Sequence, residues 1–136
     1  MKRRGFLTTV VVVVASLTAC ENMSTPDEPV WGKQPCAHCA MIVTDKRHAA
    51  QIVTSDERKF FDDIGCMIGW IHDRKVEPQK SWVRDTTSDT WVESSRARYV
   101  SGAHTPMDSG FEATMDKGIS YDEMRATVLA KMQGQR

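Results

Sequence analysis

Ala49-Ala50-Gln51-Ile52-Val53-Thr54, then Ser55-Asp56-Glu57-Arg58, then Phe60, Phe61, Ile64, Met67, Ile68 and Ile71 form the stretch whose reading decides the fold. Its first part is short, apolar and rich in β-branched residues, as a strand requires. Its last part repeats apolar side chains at intervals of three and four residues, the mark of an amphipathic helix of about three turns. Asp62 and Asp63 fall near the start of that helix, where carboxylates complement its dipole. The same order returns later. Phe111-Glu112-Ala113-Thr114-Met115 is a strand candidate, Asp116-Lys117-Gly118 a turn, and Ser120-Tyr121-Asp122-Glu123 has the form of a capping box opening a helix through Met132. Met124, Val128, Leu129 and Met132 supply that helix with one apolar face. The two stretches, 49–71 and 111–132, predict two related ββα-like units in an α+β fold, with helices covering an antiparallel sheet.

Between and before these units the signals are shorter. Met41-Ile42-Val43-Thr44 is β-prone, Asp45-Lys46-Arg47 reads as a turn, and together with residues 49–54 they suggest a hairpin. Ser81–Asp85 and Thr90–Val92 read as strands around a turn at Thr86–Asp89, and Gly102–Gly110 has loop chemistry. Residues 20–34 are polar and Pro-containing up to Val30 and Trp31, the composition of a mobile tether ahead of a domain spanning 35–136.

The first residues predict export. Lys2-Arg3-Arg4, the apolar run Val10–Ala15 and the small residues up to Cys20 have the three-part form of a secretory signal over residues 1–19. The run is too short to span a bilayer. Leu17-Thr18-Ala19-Cys20 resembles a lipobox, which implies a lipid on Cys20 and a chain anchored, periplasm-facing, to the inner or outer membrane. Arg3-Arg4-Gly5-Phe6-Leu7 also resembles a twin-arginine signal, so both export routes stay open. Losing Lys2, Arg3 and Arg4 from 18 basic residues leaves 15 against 18 acidic ones, a net charge of −3 with no basic patch for nucleic acid.

Without Cys20 the chain has an odd set of thiols: Cys36, Cys39 and Cys66. In an oxidising compartment an odd thiol is a liability unless it is buried, paired between chains or metal-bound. The densest chemistry is Pro35-Cys36-Ala37-His38-Cys39-Ala40-Met41. Cys36 and Cys39 have chelating spacing, while Cys39 and Met41 lie two apart at the start of the expected strand and would share a face. A thiolate beside a thioether is a soft donor set, suited to Cu(I). Cys36 and His38 are further candidates. Met107, in the Thr105-Pro106-Met107-Asp108-Ser109-Gly110 loop, has no strand or helix face to account for it, and could be a third sulfur ligand; His104 lies close by. Cys66 falls within the apolar pattern of the first helix, as a buried cysteine would. Two alternatives use the same cysteines: a structural zinc site, and a thiol–disulfide oxidoreductase working through Cys36 and Cys39. No nucleophile–base, phosphate-loop or paired-carboxylate motif stands out, so a non-enzyme is expected.

These residues resemble the NosL family of copper lipoproteins associated with nitrous oxide reductase. The resemblance is carried by Cys36–Ile42, Ala50-Gln51-Ile52, Lys59–Met67, Val83-Arg84-Asp85 and Thr105-Pro106-Met107 ahead of Gly110 and Phe111. It implies two ββαβ-like units and a Cu(I) metallochaperone outside the cytoplasmic membrane. It further implies Cys39 and Met41 as primary ligands and Met107 as the third. The partners it implies are nitrous oxide reductase, whose copper centre would be assembled, and the membrane assembly and transport proteins around it. Asp108 departs from the pattern, which commonly has glycine after the methionine.

Overall fold

The computed structural model describes residues 22–136; the expected signal peptide and Cys20 lie outside the described residues. Six strands and two helices follow in the order β1 (Ala50–Val53), β2 (Arg58–Phe61), α1 (Ile64–Arg74), β3 (Lys80–Asp85), β4 (Thr90–Glu93), β5 (Arg98–Ser101), β6 (Phe111–Thr114) and α2 (Tyr121–Gly134). The α+β class is as expected. The sheet runs β2-β1-β3-β6-β5, with β4 pairing β3. All pairings are antiparallel except β3 with β6, where Asp85 lies opposite Ala113. Two hairpin–helix units, β1-β2-α1 and β5-β6-α2, therefore meet through β3. Among the described residues no helix is long and apolar enough to cross a membrane.

The partner of β1 is not the one the sequence suggests. Residues 41–44 form no strand; only an isolated bridge joins Pro35 to Ile42, and Lys46–His48 make one 3-10 turn capped by Asp45. β1 pairs instead with β2, Ala50 opposite Phe61 and Val53 opposite Arg58. Phe60 and Phe61, expected at the start of the helix, thus belong to a strand. The physical reason lies in the next two residues. Asp63 is extended, at φ −146° and ψ 140°, and its side chain accepts the Gly65 N–H, so it ends the strand side and caps a helix that starts at Ile64. Aspartate gains more at a cap than inside a helix, and that preference outweighs the apolar periodicity running back to Phe60.

The core lies where α1 and α2 cover one face of the sheet. Ile52, Phe61, Ile64, Met67, Ile68, Val83, Tyr99, Met124 and Val128 are all buried in one cluster. Met124 and Val128, one helical turn apart, are the buried residues of α2, with Leu129 and Met132 packed at its edge. The expected capping box is present in full: Ser120 accepts the Glu123 N–H, and the Glu123 carboxylate accepts from the Ser120 backbone.

Gln51 and Trp82 alternate to the opposite face, and residues 22–31 lie against it. The Gln51 amide exchanges hydrogen bonds with the Asp27 backbone, accepting at 3.0 Å and donating at 2.8 Å, and Arg58 donates to the carbonyls of Asn22 and Thr25. Glu28 accepts from Arg84 and from the indole N–H groups of Trp31 and Trp91. The stretch expected to be mobile is thus fastened from Asn22 onward, because polar side chains on the sheet satisfy its backbone as a neighbouring strand would.

Gly118 marks the tightest backbone approach. It sits at φ +128° just before the bridge between Tyr99 and Ile119, and a Cβ there would overlap the Tyr99 backbone. Gly118→Ala is expected to destabilise the protein by about 2 kcal/mol or more, combining a disfavoured φ with a steric clash. Gly134→Ala, with open space around it, should change stability by no more than about 1 kcal/mol, and in the favourable direction. Urea denaturation of the two variants checks both expectations.

Candidate metal centre

The segment carrying Cys36 and Cys39 is a tight turn, not the start of a strand. The Cys36 N–H donates to the Met41 carbonyl at 2.7 Å, and the Ala40 N–H donates to the Cys36 carbonyl at 3.0 Å. Ala40 adopts φ +64°, a conformation uncommon outside glycine, asparagine and aspartate. The alternation that would have put Cys39 and Met41 on one strand face is therefore absent. Cys36 is 3% exposed, Cys39 half-buried, and Met41 emerges at 48% exposure. The Ala37 N–H donates to the Phe60 carbonyl at 2.9 Å, fixing the turn to the end of β2.

That placement brings the turn to the beginning of α1. One ligand atom each from Cys36, Cys39, Asp62 and Cys66 lies within 4.8 Å of every other. Cys66 is in the first turn of α1 and is 2% exposed, as its apolar setting predicts. Its sulfur nevertheless faces the other two thiols, a role that spacing along the helix does not reveal. Asp62, read only as a partner of the helix dipole, is buried and accepts from the Cys39 thiol at 3.4 and 3.5 Å. A cysteine one turn from an Asp-Asp helix start was the available signal, but nothing local says that a distant Cys-x-x-Cys will meet it.

The three thiols differ in acidity. The hydrogen bond from Cys66 pulls the Cys36 thiol from the ordinary 9.0 down to about 6; burial opposes this, and the backbone N–H groups of Cys39, Asp62 and His38 assist it. Cys39 is pushed up to about 11, chiefly by burial, with further increments from Cys36 and from Asp62. Cys66 is raised as well, first by its hydrogen bond to Cys36 and then by burial. One thiol of the group is thereby poised to be the anion and the other two to keep their protons.

Met107 reaches the same region from the second unit. Its N–H donates to Asp63 Oδ2 at 2.8 Å, while Asp63 Oδ1 accepts the Gly65 N–H at 2.6 Å. The two oxygens of one carboxylate thus hold the helix start and the Met107 loop together. A side chain on Gly65 would run into Ser109, so the loop packs closely on α1. Asp108 sits at φ +56°, which explains how it replaces glycine: aspartate is among the few side chains that tolerate this region. The Met107 side chain is 45% exposed. His38 lies over Gly69 of α1 and lines an open cleft of about 130 Å³ with Cys66, Met107, Ser109, Lys131 and Met132. His104 is exposed in the loop ahead of Met107.

A mixed sheet with two helices on one face carries, at a helix start, a cluster of soft sulfur donors able to hold a metal ion, and their chemistry fits copper. The family model named NosL matches residues 29–128, and the chain belongs to that family. The chain also resembles the crystal structure of the copper chaperone NosL from Shewanella denitrificans. The TM-score is 0.59 at 15% sequence identity, over 77% of this chain and 87% of that one. A comparison with curated protein sequences gives no match.

Asp63→Ala removes a cap and a buried charge-assisted hydrogen bond at once, and should cost roughly 3 kcal/mol. It should also speed hydrogen exchange at the Met107 amide more than at the core amides of β1, a difference that hydrogen-exchange NMR resolves.

Thiol acidity gives a pH dependence. Cys36 is depressed in the folded protein, so its contribution to the stability of the metal-free protein is complete above pH 9 and falls between 9 and 6. That contribution is gone below 6, where folded and unfolded thiols are both protonated. Cys39 is raised, so its contribution is present below 9 and lost as the pH rises through 11. Ultraviolet thiolate absorbance of the folded protein should therefore show a step near pH 6 that is missing in Cys36→Ser.

Proposed function

We propose that this protein is a lipid-anchored Cu(I) metallochaperone, held to the membrane through Cys20 on the periplasmic side. In this reading it supplies copper for assembly of the copper centre of nitrous oxide reductase, together with membrane assembly and transport proteins. It carries the ion without transforming a substrate. Membership in NosL, the sulfur cluster and the description of the Shewanella denitrificans neighbour as a copper chaperone support the copper part. The lipobox and the family resemblance support the anchor and the recipient.

One observation carries the chaperone reading: the arrangement around Cys39. This half-buried thiol has Met41 two residues on, at 48% exposure, and its Asp62 partner adjoins the Asp63 carboxylate that fixes the Met107 backbone. A thiolate with two thioethers is a soft, low-charge ligand set that a partner can approach from solvent. Cu(I) can then leave by stepwise replacement of exposed ligands. Cys39, Met41 and Met107 are the proposed delivery ligands, with Cys36 and His38 as neighbouring donors.

The Asp62 oxygen favours one competitor, Zn(II), which accepts oxygen with sulfur in four-coordinate sites. The thiol oxidoreductase alternative has less support, since the Cys36–Cys39 turn does not itself open a helix, the sequence context in which such pairs usually work.

Competition against a chromophoric Cu(I) chelator under anaerobic conditions tests the reading. The Cys39→Ser, Met41→Leu double variant should bind Cu(I) roughly a hundredfold more weakly than the unaltered protein, about 3 kcal/mol. Equal affinity in the two proteins would remove the basis for the assignment.

A further inference from the structure

The delivery ligands leave two buried sulfurs unused. Cys36 and Cys66 are 3% and 2% exposed, yet their sulfurs belong with Cys39 to one group whose members lie within 4.8 Å of each other. A triangle with no side longer than 4.8 Å fits inside a circle of radius 4.8 Å divided by √3, about 2.8 Å. Metal–thiolate bonds to a d10 ion of this kind are about 2.3 Å for zinc, so small side-chain rotations close the difference. A buried free cysteine needs none of this convergence.

We propose that these three thiols are a second, closed seat for the same ion. Cys36, Cys39 and Cys66 hold Cu(I) as a buried trigonal thiolate centre, and Cys39 is common to this seat and to the outer one with Met41 and Met107. The inference rests on the copper reading above. Loading the closed seat forms a bond from copper to each sulfur and releases each remaining thiol proton to solvent. Moving the ion outward breaks the bonds to Cys36 and Cys66; Cys66 takes a proton back from solvent, Cys36 returns to its metal-free state, and the thioethers of Met41 and Met107 replace the two sulfurs on the ion. No electron is transferred, and copper remains Cu(I). The closed seat excludes water and competing ligands; the open one admits an acceptor. Asp62 stays a hydrogen-bonding neighbour, since a hard oxygen adds little for Cu(I).

The test uses the unaltered purified protein, labelled with carbon-13 and titrated with Cu(I) under anaerobic conditions. The 13Cβ resonances of Cys36, Cys39 and Cys66 are expected to shift together at the first equivalent. Shifts confined to Cys39 and to the methyl groups of Met41 and Met107 would overturn the closed seat while leaving the chaperone reading intact. No response from any sulfur-bearing residue would instead end the copper reading. Zn(II) held by the four residues so firmly that Cu(I) does not displace it would also overturn the inference. A Cys36→Ala, Cys66→Ala variant gives a second readout: it should release Cu(I) to a chelator roughly tenfold faster than the unaltered protein. An unchanged release rate in a folded variant counts against the proposal, and the titration of the unaltered protein decides if the variant does not fold.

Discussion

The Asp63 carboxylate is the contact on which the arrangement depends. It is fully buried, and its two oxygens hold different parts of the chain. Oδ1 takes the Gly65 N–H at the start of α1, and Oδ2 takes the N–H of Met107 from the other hairpin–helix unit. A buried carboxylate without donors would be costly, so the two amides and the charge hold one another in place. With the helix start fixed, Asp62 and Cys66 have fixed positions, and the Cys36–Met41 turn, tied to Phe60 by a backbone hydrogen bond, closes over them.

The sulfur donors divide by exposure. Cys36 and Cys66 are inside, where burial and mutual hydrogen bonding separate their acidities; Cys39 stands at the boundary; Met41 and Met107 are outside. A carrier faces opposing demands, because ligands that hold an ion against adventitious competitors also resist giving it up. In the proposed chaperone, donors graded from buried thiol to exposed thioether would meet both demands within one short path. Ala40 at φ +64° contributes by turning the chain outward between Cys39 and Met41, so that the two donors do not share one burial environment.

Most secondary structure was legible in the sequence because it depends on local chemistry. The strands at residues 50–53, 80–85 and 111–114 follow from β-branched and aromatic runs, and the Ser120 capping box announces α2. The departures arise where local pattern is ambiguous. The apolar periodicity of a helix from Phe60 also fits a strand ending at Phe61 followed by a helix from Ile64, and the choice was made by Asp63 as a cap and by the pairing of Phe61 with Ala50. The polar stretch before Trp31 has the composition of a free tether, and that composition says nothing of Gln51 and Arg58, which bind its backbone.

By itself the sequence determined the class of fold, the soft character of the donors and the pairing of Cys39 with Met41 as candidates, while Met107 joined them only through the family resemblance. The first three features reside in residue type and in spacings of a few positions. Only the tertiary structure decided that Cys66 and Asp62 join Cys36 and Cys39, that Met41 points away into solvent, and that Met107 is tied to α1 from the second unit. The reason is that these partners are far apart along the chain. They meet because β1 pairs with β2 and β3 with β6, and because one capping carboxylate reaches across the join.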